Sequence, residues 1–198
     1  VSNKFYAMFD KYIGQLDDTG AAIIITADHG MKPKSKEDGS PNAIFLQDHL
    51  DNIFDKGKTK VVLPITDPYV VHHGALGGYA RIHCTGVAPE VIVETVRALP
   101  GIEAVFDRAG AAATFSLPLD IEGDVAVIAD AATVIGTSEE RHELAALAGH
   151  RLRSHGGIAE RRVPFVLSAP LNEIYAARAA SSKLHNYDIF DFAINGTA

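Results

Sequence analysis

The sequence predicts an α/β fold, in which helices cover both faces of a sheet and a small α+β insert interrupts it. Three observations support this class. An amphipathic helical pattern at 4–16 runs directly into an apolar strand at 21–26. A compact β-α-β-α-β pattern follows at 79–129. The chain then ends with a buried strand at 163–168 and an apolar-faced helix at 186–194. Helices and strands that alternate in this way are typical of α/β domains.

The elements of the first part follow from hydrophobic spacing. Apolar side chains recur every three or four residues over 5–16, which predicts an amphipathic helix. The run AAIIIT at 21–26 is almost wholly apolar and rich in β-branched residues, which predicts a strand buried on both faces, as in a parallel sheet. A polar, exposed loop is expected at 32–41, a helix over 43–54 and a strand over 60–65.

The pattern of predicted elements changes near residue 77, after which short strands and helices alternate closely. The expected elements are a strand at 79–84, a helix that begins at Pro89, a strand at 101–106, a helix at 109–115 and a strand at 124–129. We therefore expect residues 76–149 to form a small α+β insert. The core that it interrupts is expected to consist of residues 1–75 and 150–198.

Composition excludes some classes of function. The 198 residues carry a formal net charge of −7, whereas nucleic-acid binders usually carry a basic patch. No apolar run approaches the roughly 18–20 residues needed to span a bilayer. The single cysteine, Cys84, cannot form an internal disulfide and is expected in the core, which favours a reducing cytoplasm. The chain begins with Val and opens directly in a helical pattern, so we expect a piece of a longer protein.

The first candidate site directly follows the strand at 21–26. Functional side chains in open α/β sheets collect beyond the carboxyl ends of strands, where Asp28 and His29 stand. Gly30 permits the turn that would bring both side chains to one site. A carboxylate oxygen and an imidazole nitrogen are suitable ligands for zinc or a similar divalent ion. The alternative interpretation is an Asp that caps a turn beside an incidental His.

The second candidate is His155, in the segment RLRSHGG at 151–157. Two glycines after this histidine indicate a loop whose backbone can approach a ligand closely. A simple turn histidine is the alternative. Arg151 and Arg153 could pair with an anionic substrate, although two arginines in a loop are more often solvated.

The other histidines and glycines have weaker patterns. His72 and His73 are expected in a surface loop, and the remaining histidines of this group, His83, His142 and His150, are expected to be structural or exposed. The glycine-rich segment at 74–78 lacks the lysine and the strand–helix frame of a phosphate loop.

Three motifs in order resemble the alkaline phosphatase superfamily along the whole chain: TADHGM, SHGG leading into VPFVLS, and the closing NYDIF helix. The resemblance implies an alkaline-phosphatase-like sheet that holds a two-zinc phosphotransfer site, with residues 76–149 as part of a cap. It implies that Asp28 and His29 bind one zinc ion and that His155 binds the second. Oxygen and nitrogen ligands also admit manganese or iron.

Within the superfamily, the residues of these three motifs most resemble those of enzymes that hydrolyse the carbon–phosphorus bond of phosphonoacetate to acetate and phosphate. The nucleophilic threonine, an early aspartate and an Asp-x-x-x-His motif would then lie upstream of Val1, so no catalytic or substrate-binding residue is assigned in this chain. The expected partner is a small phosphonate, with neither nucleic acid nor membrane involved and a homodimer left open.

Two alternatives remain at this point. One is a nucleotide pyrophosphatase/phosphodiesterase or phosphoglycerate-mutase-like enzyme of the same superfamily. Mutases usually follow the late histidine with Thr, however, and here Gly156 follows His155. The other is a catalytically incomplete metal-binding fragment.

Overall fold

The computed structural model describes residues 2–64, 76–147 and 149–197, and it confirms the predicted α/β class. The helices are α1 (Ser2–Asp17), α2 (Leu46–Phe54), α3 (Pro89–Arg97), α4 (Arg108–Phe115), α5 (Glu173–Ser181) and α6 (Asp188–Asn195). The strands are β1 (Ile24–Thr26), β2 (Lys32–Pro33), β3 (Ala43–Phe45), β4 (Thr59–Val62), β5 (Tyr79–Cys84), β6 (Ile102–Asp107), β7 (Val125–Ala129), β8 (Val134–Gly136), β9 (Arg153–Ser154) and β10 (Phe165–Leu167). No helix within these ranges is long and apolar enough to cross a membrane.

The chain divides into two compact units. Unit 1 consists of Val1–Asp28 and Arg162–Ala198, and unit 2 consists of His29–Arg161. The predicted division between a core and a cap insert stays a prediction.

Unit 1 contains a two-stranded antiparallel sheet. β1 pairs with β10, with Ile25 opposite Val166, and the three residues of β1 are half-buried. The run AAIIIT predicts a strand that is buried on both faces, as in a parallel sheet. This prediction is wrong, because β1 is antiparallel to β10 and is only half-buried. A short apolar run carries no information about the direction of its partner, and here the partner comes from the other end of the chain.

The helices of unit 1 differ in how they bury their apolar faces. α1 forms as the spacing predicts, yet none of its described residues is buried. In α6, by contrast, Ile189 and Phe192 are fully buried. α5 was not predicted, and its first turn is capped by Asn172, whose side chain accepts a hydrogen bond from the Tyr175 amide at 3.1 Å.

Unit 2 is built on a four-stranded antiparallel sheet with the order β4-β5-β7-β6. Its strands β5, β6 and β7 alternate with α3 and α4, so the predicted β-α-β-α-β pattern is confirmed. β7 lies between β5 and β6, and all five of its residues are buried. Because both neighbours are antiparallel to β7, β5 and β6 run in the same direction, as in a split β-α-β unit.

The core of unit 2 lies between this sheet and helices α2 and α3. Ile82, Ile92 and Val127 are among its fully buried members. The predicted helix over 43–54 begins only at Leu46, because the residues before it form β3, which pairs in parallel with β8.

Two very short strands organise the loops of unit 2. β2 pairs with β9 in antiparallel register, with Lys32 opposite Ser154. This pairing lies within the stretch at 32–41 that was expected to be an exposed loop. That expectation is wrong for Lys34 in particular, whose side chain is completely buried.

Candidate functional site

Two loops of unit 2 bring the predicted histidines together. His29 lies three residues before β2, and His155 directly follows β9. Since these strands are paired, the two loops leave the same small sheet side by side. The imidazole rings stack with their centroids 3.6 Å apart and an interplanar angle of 9°. Both residues are half-buried.

The hydrogen bond of His29 sets which ring nitrogen carries a proton. Its Nδ1 lies 2.9 Å from the carbonyl oxygen of Gly30. A carbonyl can only accept, so Nδ1 donates, and in the neutral ring the lone pair is on Nε2. Metal-binding histidines commonly have this arrangement, because the donated hydrogen bond orients the ring.

The stacked geometry also limits how the rings could bind metal. The lone pairs of imidazole lie in the ring planes, so two nearly parallel rings with centroids 3.6 Å apart cannot both direct a lone pair at the same point. In this arrangement one ion cannot bind both rings.

The loop that carries His155 packs tightly against Gly78. The Gly78 amide donates to the carbonyl oxygen of His155 at 2.7 Å. A Cβ atom at Gly78 would lie only 2.5 Å from the Gly157 nitrogen, and Gly156 has a φ of +105°, which favours glycine. Sequence reasoning considered the segment at 74–78 only as a phosphate loop and missed this packing role. No local signal indicates which distant backbone a glycine will touch.

A cavity of about 430 Å³ lies beside His155 in unit 2. Much of its wall is apolar, and Phe115 is part of it. Two arginines also line it. Arg81 is engaged with the carboxylate of Glu122, whereas Arg161 has its guanidinium 5.9 Å from the ring centroid of Phe115. No carboxylate among the described residues forms an ion pair with Arg161, so this cation is suited to an anionic ligand.

A buried carboxylate organises one wall of this cavity. Glu122 accepts hydrogen bonds from Arg81 at 2.6 Å and from the Tyr79 hydroxyl at 2.8 Å. Burial alone would raise the pKa of Glu122, but these hydrogen bonds outweigh it and hold the pKa below the ordinary value. Burial, together with the neighbouring Glu122, raises the pKa of Tyr79 to about 12. The network is therefore a fixed ion pair at neutral pH, with a protonated phenol.

Asp28 belongs to unit 1, where it follows β1 and is exposed. The backbone just before it is held by Asn186, whose side-chain amide donates to the Ala27 carbonyl at 3.1 Å. Asn186 opens the NYDIF motif. The sequence pattern does not predict this contact of the motif's first residue.

No family model matches the chain. Two solved structures of phosphonoacetate hydrolase from Sinorhizobium meliloti 1021, one with phosphonoacetate and one with phosphonoformate, match it at 45% identity and a TM-score of 0.86. The match covers 99% of this chain and 46% of that enzyme. This chain is a homologue of phosphonoacetate hydrolase. The recognition from its motifs is thereby confirmed.

The homologue spans less than half the length of the phosphonoacetate hydrolase that it matches. A murine ectonucleotide pyrophosphatase/phosphodiesterase 5 matches at 19% identity and a TM-score of 0.49, over 76% of this chain and 34% of its own. That likeness is too low to bear on function.

Three further histidines of this phosphonoacetate hydrolase homologue, all in the described part of unit 2, were expected to be structural or exposed. His83 on β5 and His150 are exposed. His142 is buried, and its Nε2 accepts a hydrogen bond from the Thr137 amide at 2.9 Å. His72 and His73 lie outside the described residues.

The remaining candidate residues show no arrangement that indicates catalysis, among the residues that the structure describes. Arg153 donates to the carbonyl of Met31 at 3.1 Å, and Arg151 is exposed. Cys84 is half-buried against the core of unit 2. Burial, followed by the charges of Asp124 and Glu90, raises the pKa of its thiol to about 11, so the thiol is protonated and weakly nucleophilic at neutral pH.

Within the parts of the chain that the structure describes, no three His, Cys, Asp or Glu side chains are arranged to hold a metal ion. The assignment of Asp28, His29 and His155 as metal ligands therefore stays a prediction.

Proposed function

We propose that this chain is part of a zinc-dependent phosphonoacetate hydrolase, which cleaves the carbon–phosphorus bond of phosphonoacetate to acetate and phosphate. The proposal rests above all on the stacked pair of His29 and His155. Its further support is the 45% identity to an enzyme whose structures hold phosphonoacetate and phosphonoformate. A reducing compartment such as the cytoplasm suits the free thiol of Cys84.

The donor set fits a pair of divalent ions. We assign Asp28 and His29 to one ion and His155 to the other, in agreement with the parallel ring planes. The hydrogen bond from Nδ1 of His29 to Gly30 leaves Nε2 as the ligating atom. Two such ions would neutralise phosphonate charge and stabilise the attacking and leaving groups. Zinc is our proposal, and manganese or iron would accept the same atoms.

In the net reaction, an oxygen–phosphorus bond replaces the carbon–phosphorus bond. Water supplies the oxygen to phosphorus and a proton to carbon. The electron pair of the broken bond passes to the methylene carbon, where the adjacent carboxylate can delocalise the developing charge. Electrostatic stabilisation of that charge is the main task of the protein. The nucleophile that the resemblance implies is not assigned to a residue of this chain.

The cavity beside His155 supplies a place for the anionic substrate. We propose that Arg161 holds its carboxylate, because this guanidinium has no acidic partner among the described residues and lines the same cavity.

A chimaera tests the function directly. The aligned part of the Sinorhizobium meliloti enzyme would be replaced by this chain, and phosphate release from phosphonoacetate measured with zinc present. We expect turnover in the chimaera and its loss in Asp28→Ala, His29→Ala and His155→Ala, with the exposed His150→Ala as an active control.

Two results would contradict the proposal. One is a folded chimaera that releases no phosphate from phosphonoacetate, or that prefers a phosphodiester. The other is full turnover in all three alanine variants, which would overturn the metal-ligand assignment.

A further inference from the structure

A fully buried lysine lies behind the histidine pair. The side chain of Lys34 is 0% exposed, and its Nζ lies 3.1 Å from Oε1 of Glu160, whose side chain is 1% exposed. The same Nζ donates to the main-chain carbonyl of Asp130 at 3.2 Å. A charge buried to this extent is costly unless it is paired, so the two residues depend on each other.

Glu160 contacts both loops that carry the histidines. Its Oε2 accepts a hydrogen bond from the Gly157 amide at 2.8 Å, two residues after His155. Its main-chain carbonyl accepts one from the Gly30 amide at 2.7 Å, one residue after His29. One residue thus holds the backbone next to each imidazole.

Lys34 adds a second connection between the same loops. Its amide donates to the carbonyl of Leu152 at 2.9 Å, which joins the end of β2 to the start of β9. Its ammonium group attracts the carboxylate that holds Gly157. The lysine therefore acts on the His155 loop through its backbone and through its charge.

We propose that the Lys34–Glu160 pair is a positioning device, which sets the distance and angle between the imidazoles of His29 and His155. Neither residue is catalytic, since both act through the loops that they hold. The consequence for zinc binding rests on the proposed function, whereas the consequence for the imidazole pair does not.

The physical reason lies in what happens when one partner is lost. Glu160→Gln keeps an oxygen that can accept from Gly157 but leaves the Lys34 ammonium without a counter-charge. Lys34→Met leaves the carboxylate buried without its cation. In both variants the unpaired group must become neutral or reach water, and in either case the charge attraction between residues 34 and 160 no longer holds the loops.

The test uses NMR of the whole chain without metal. Rings stacked at 3.6 Å give a nuclear Overhauser effect (NOE) between the imidazole protons of His29 and His155. We expect this NOE to be lost in Lys34→Met and in Glu160→Gln. The NOE between the methyl groups of Ile82 and Val125, which face each other across β5 and β7, should remain and report an intact core.

Asp124→Asn is the matched control. It also removes a carboxylate from an ion pair of unit 2, with Arg108, away from both histidine loops. The inter-ring NOE should persist in this variant. The inference is overturned if the NOE survives in the folded single variants, or if Asp124→Asn loses it as well.

The double variant Lys34→Met/Glu160→Gln keeps the test decisive where a single variant does not fold. It buries no net charge, so we expect the fold to return. The inter-ring NOE should stay lost, because the attraction between residues 34 and 160 is absent. A double variant that folds and keeps this NOE contradicts the proposal.

Zinc affinity supplies a second readout, measured by competition with a chromophoric chelator. We expect the single variants and the double variant to bind zinc about 10- to 100-fold more weakly than the wild type, as is usual when the support of a ligand is lost. If the wild-type chain binds no zinc, the proposed metal function fails, while the NOE still decides the positioning role.

Discussion

Main-chain contacts also hold the loops that carry the stacked imidazoles of His29 and His155. The carbonyl of His155 accepts from the Gly78 amide, and the amide of Gly30 donates to the carbonyl of Glu160. A main-chain hydrogen bond needs no side chain to be ordered, so it carries no loss of rotamer freedom. A site built in this way is sensitive to substitutions that never touch the rings.

Gly78→Ala should displace the His155 loop. The new Cβ would lie 2.5 Å from the Gly157 nitrogen, so the backbone must shift, at a cost of about 1–3 kcal/mol of unfolding free energy. Urea denaturation measures this loss. Gly14→Ala is the control, because the space around it is open and Ala favours a helix by up to about 1 kcal/mol. Equal stability of both variants would contradict the close contact.

Glu122→Gln should change how stability depends on pH. The folded-state pKa of Glu122 lies below its ordinary value of 4.5, so its ion pair with Arg81 stabilises the fold above about pH 4.5. That contribution is lost as the pH falls through the lowered pKa. We expect Glu122→Gln to cost about 1–3 kcal/mol at pH 7 and progressively less below pH 4.5.

Urea midpoints at pH 7 and at pH 3 measure the effect. Glu103→Gln, at an exposed position of β6, serves as the control and should match the wild type at both values. A pH-independent difference between Glu122→Gln and the wild type would show that the charge of Glu122 does not stabilise the fold.

At the scale of elements, α3 contributes to the core of unit 2 through one face only. Ile92 is fully buried in that core, whereas its neighbour Val91 is 44% exposed. Ile92→Ala should lower the free energy of unfolding by about 2–5 kcal/mol, through lost burial and a cavity. Val91→Ala should change it by less than about 0.5 kcal/mol. Similar losses of unfolding free energy in the two variants would show that α3 does not bury Ile92 while it exposes Val91.

Elements with a long, regular pattern were predictable, and very short ones were not. Pro89 and the apolar spacing after it correctly predict the start of α3. β2 and β9 have two residues each, which is too few to establish any period. These two strands nevertheless join the histidine loops, so the geometry of the site depends on elements that sequence patterns cannot detect.

At the scale of the whole molecule, the sequence predicts the α/β class and identifies both histidines as candidates. It does not predict that their rings lie in contact. Each histidine was a candidate because of its local motif, and the distance between them depends on the pairing of Lys32 with Ser154, far along the chain. The burial of Lys34 was also hidden, since KPKSKEDGSP has the composition of an exposed loop. Composition reports an average over a segment, whereas the ion pair with Glu160 concerns one residue of it.

The division into units has a practical meaning for measurement. His29 and His155 both belong to unit 2, while Asp28 belongs to unit 1. The NMR test of the imidazole pair therefore concerns unit 2 alone. The metal binding and turnover that we propose would also require Asp28 and the larger fold of the phosphonoacetate hydrolase, of which this chain matches 46%.

The buried ion pair also constrains how such a sequence can change over generations. Losing Lys34 or Glu160 alone leaves an isolated charge in the interior, whereas exchanging both removes the conflict. A substitution at one of the two positions should therefore be followed by a substitution at the other. Positions 34 and 160 lie far apart in the sequence, and we expect them to change together among related proteins.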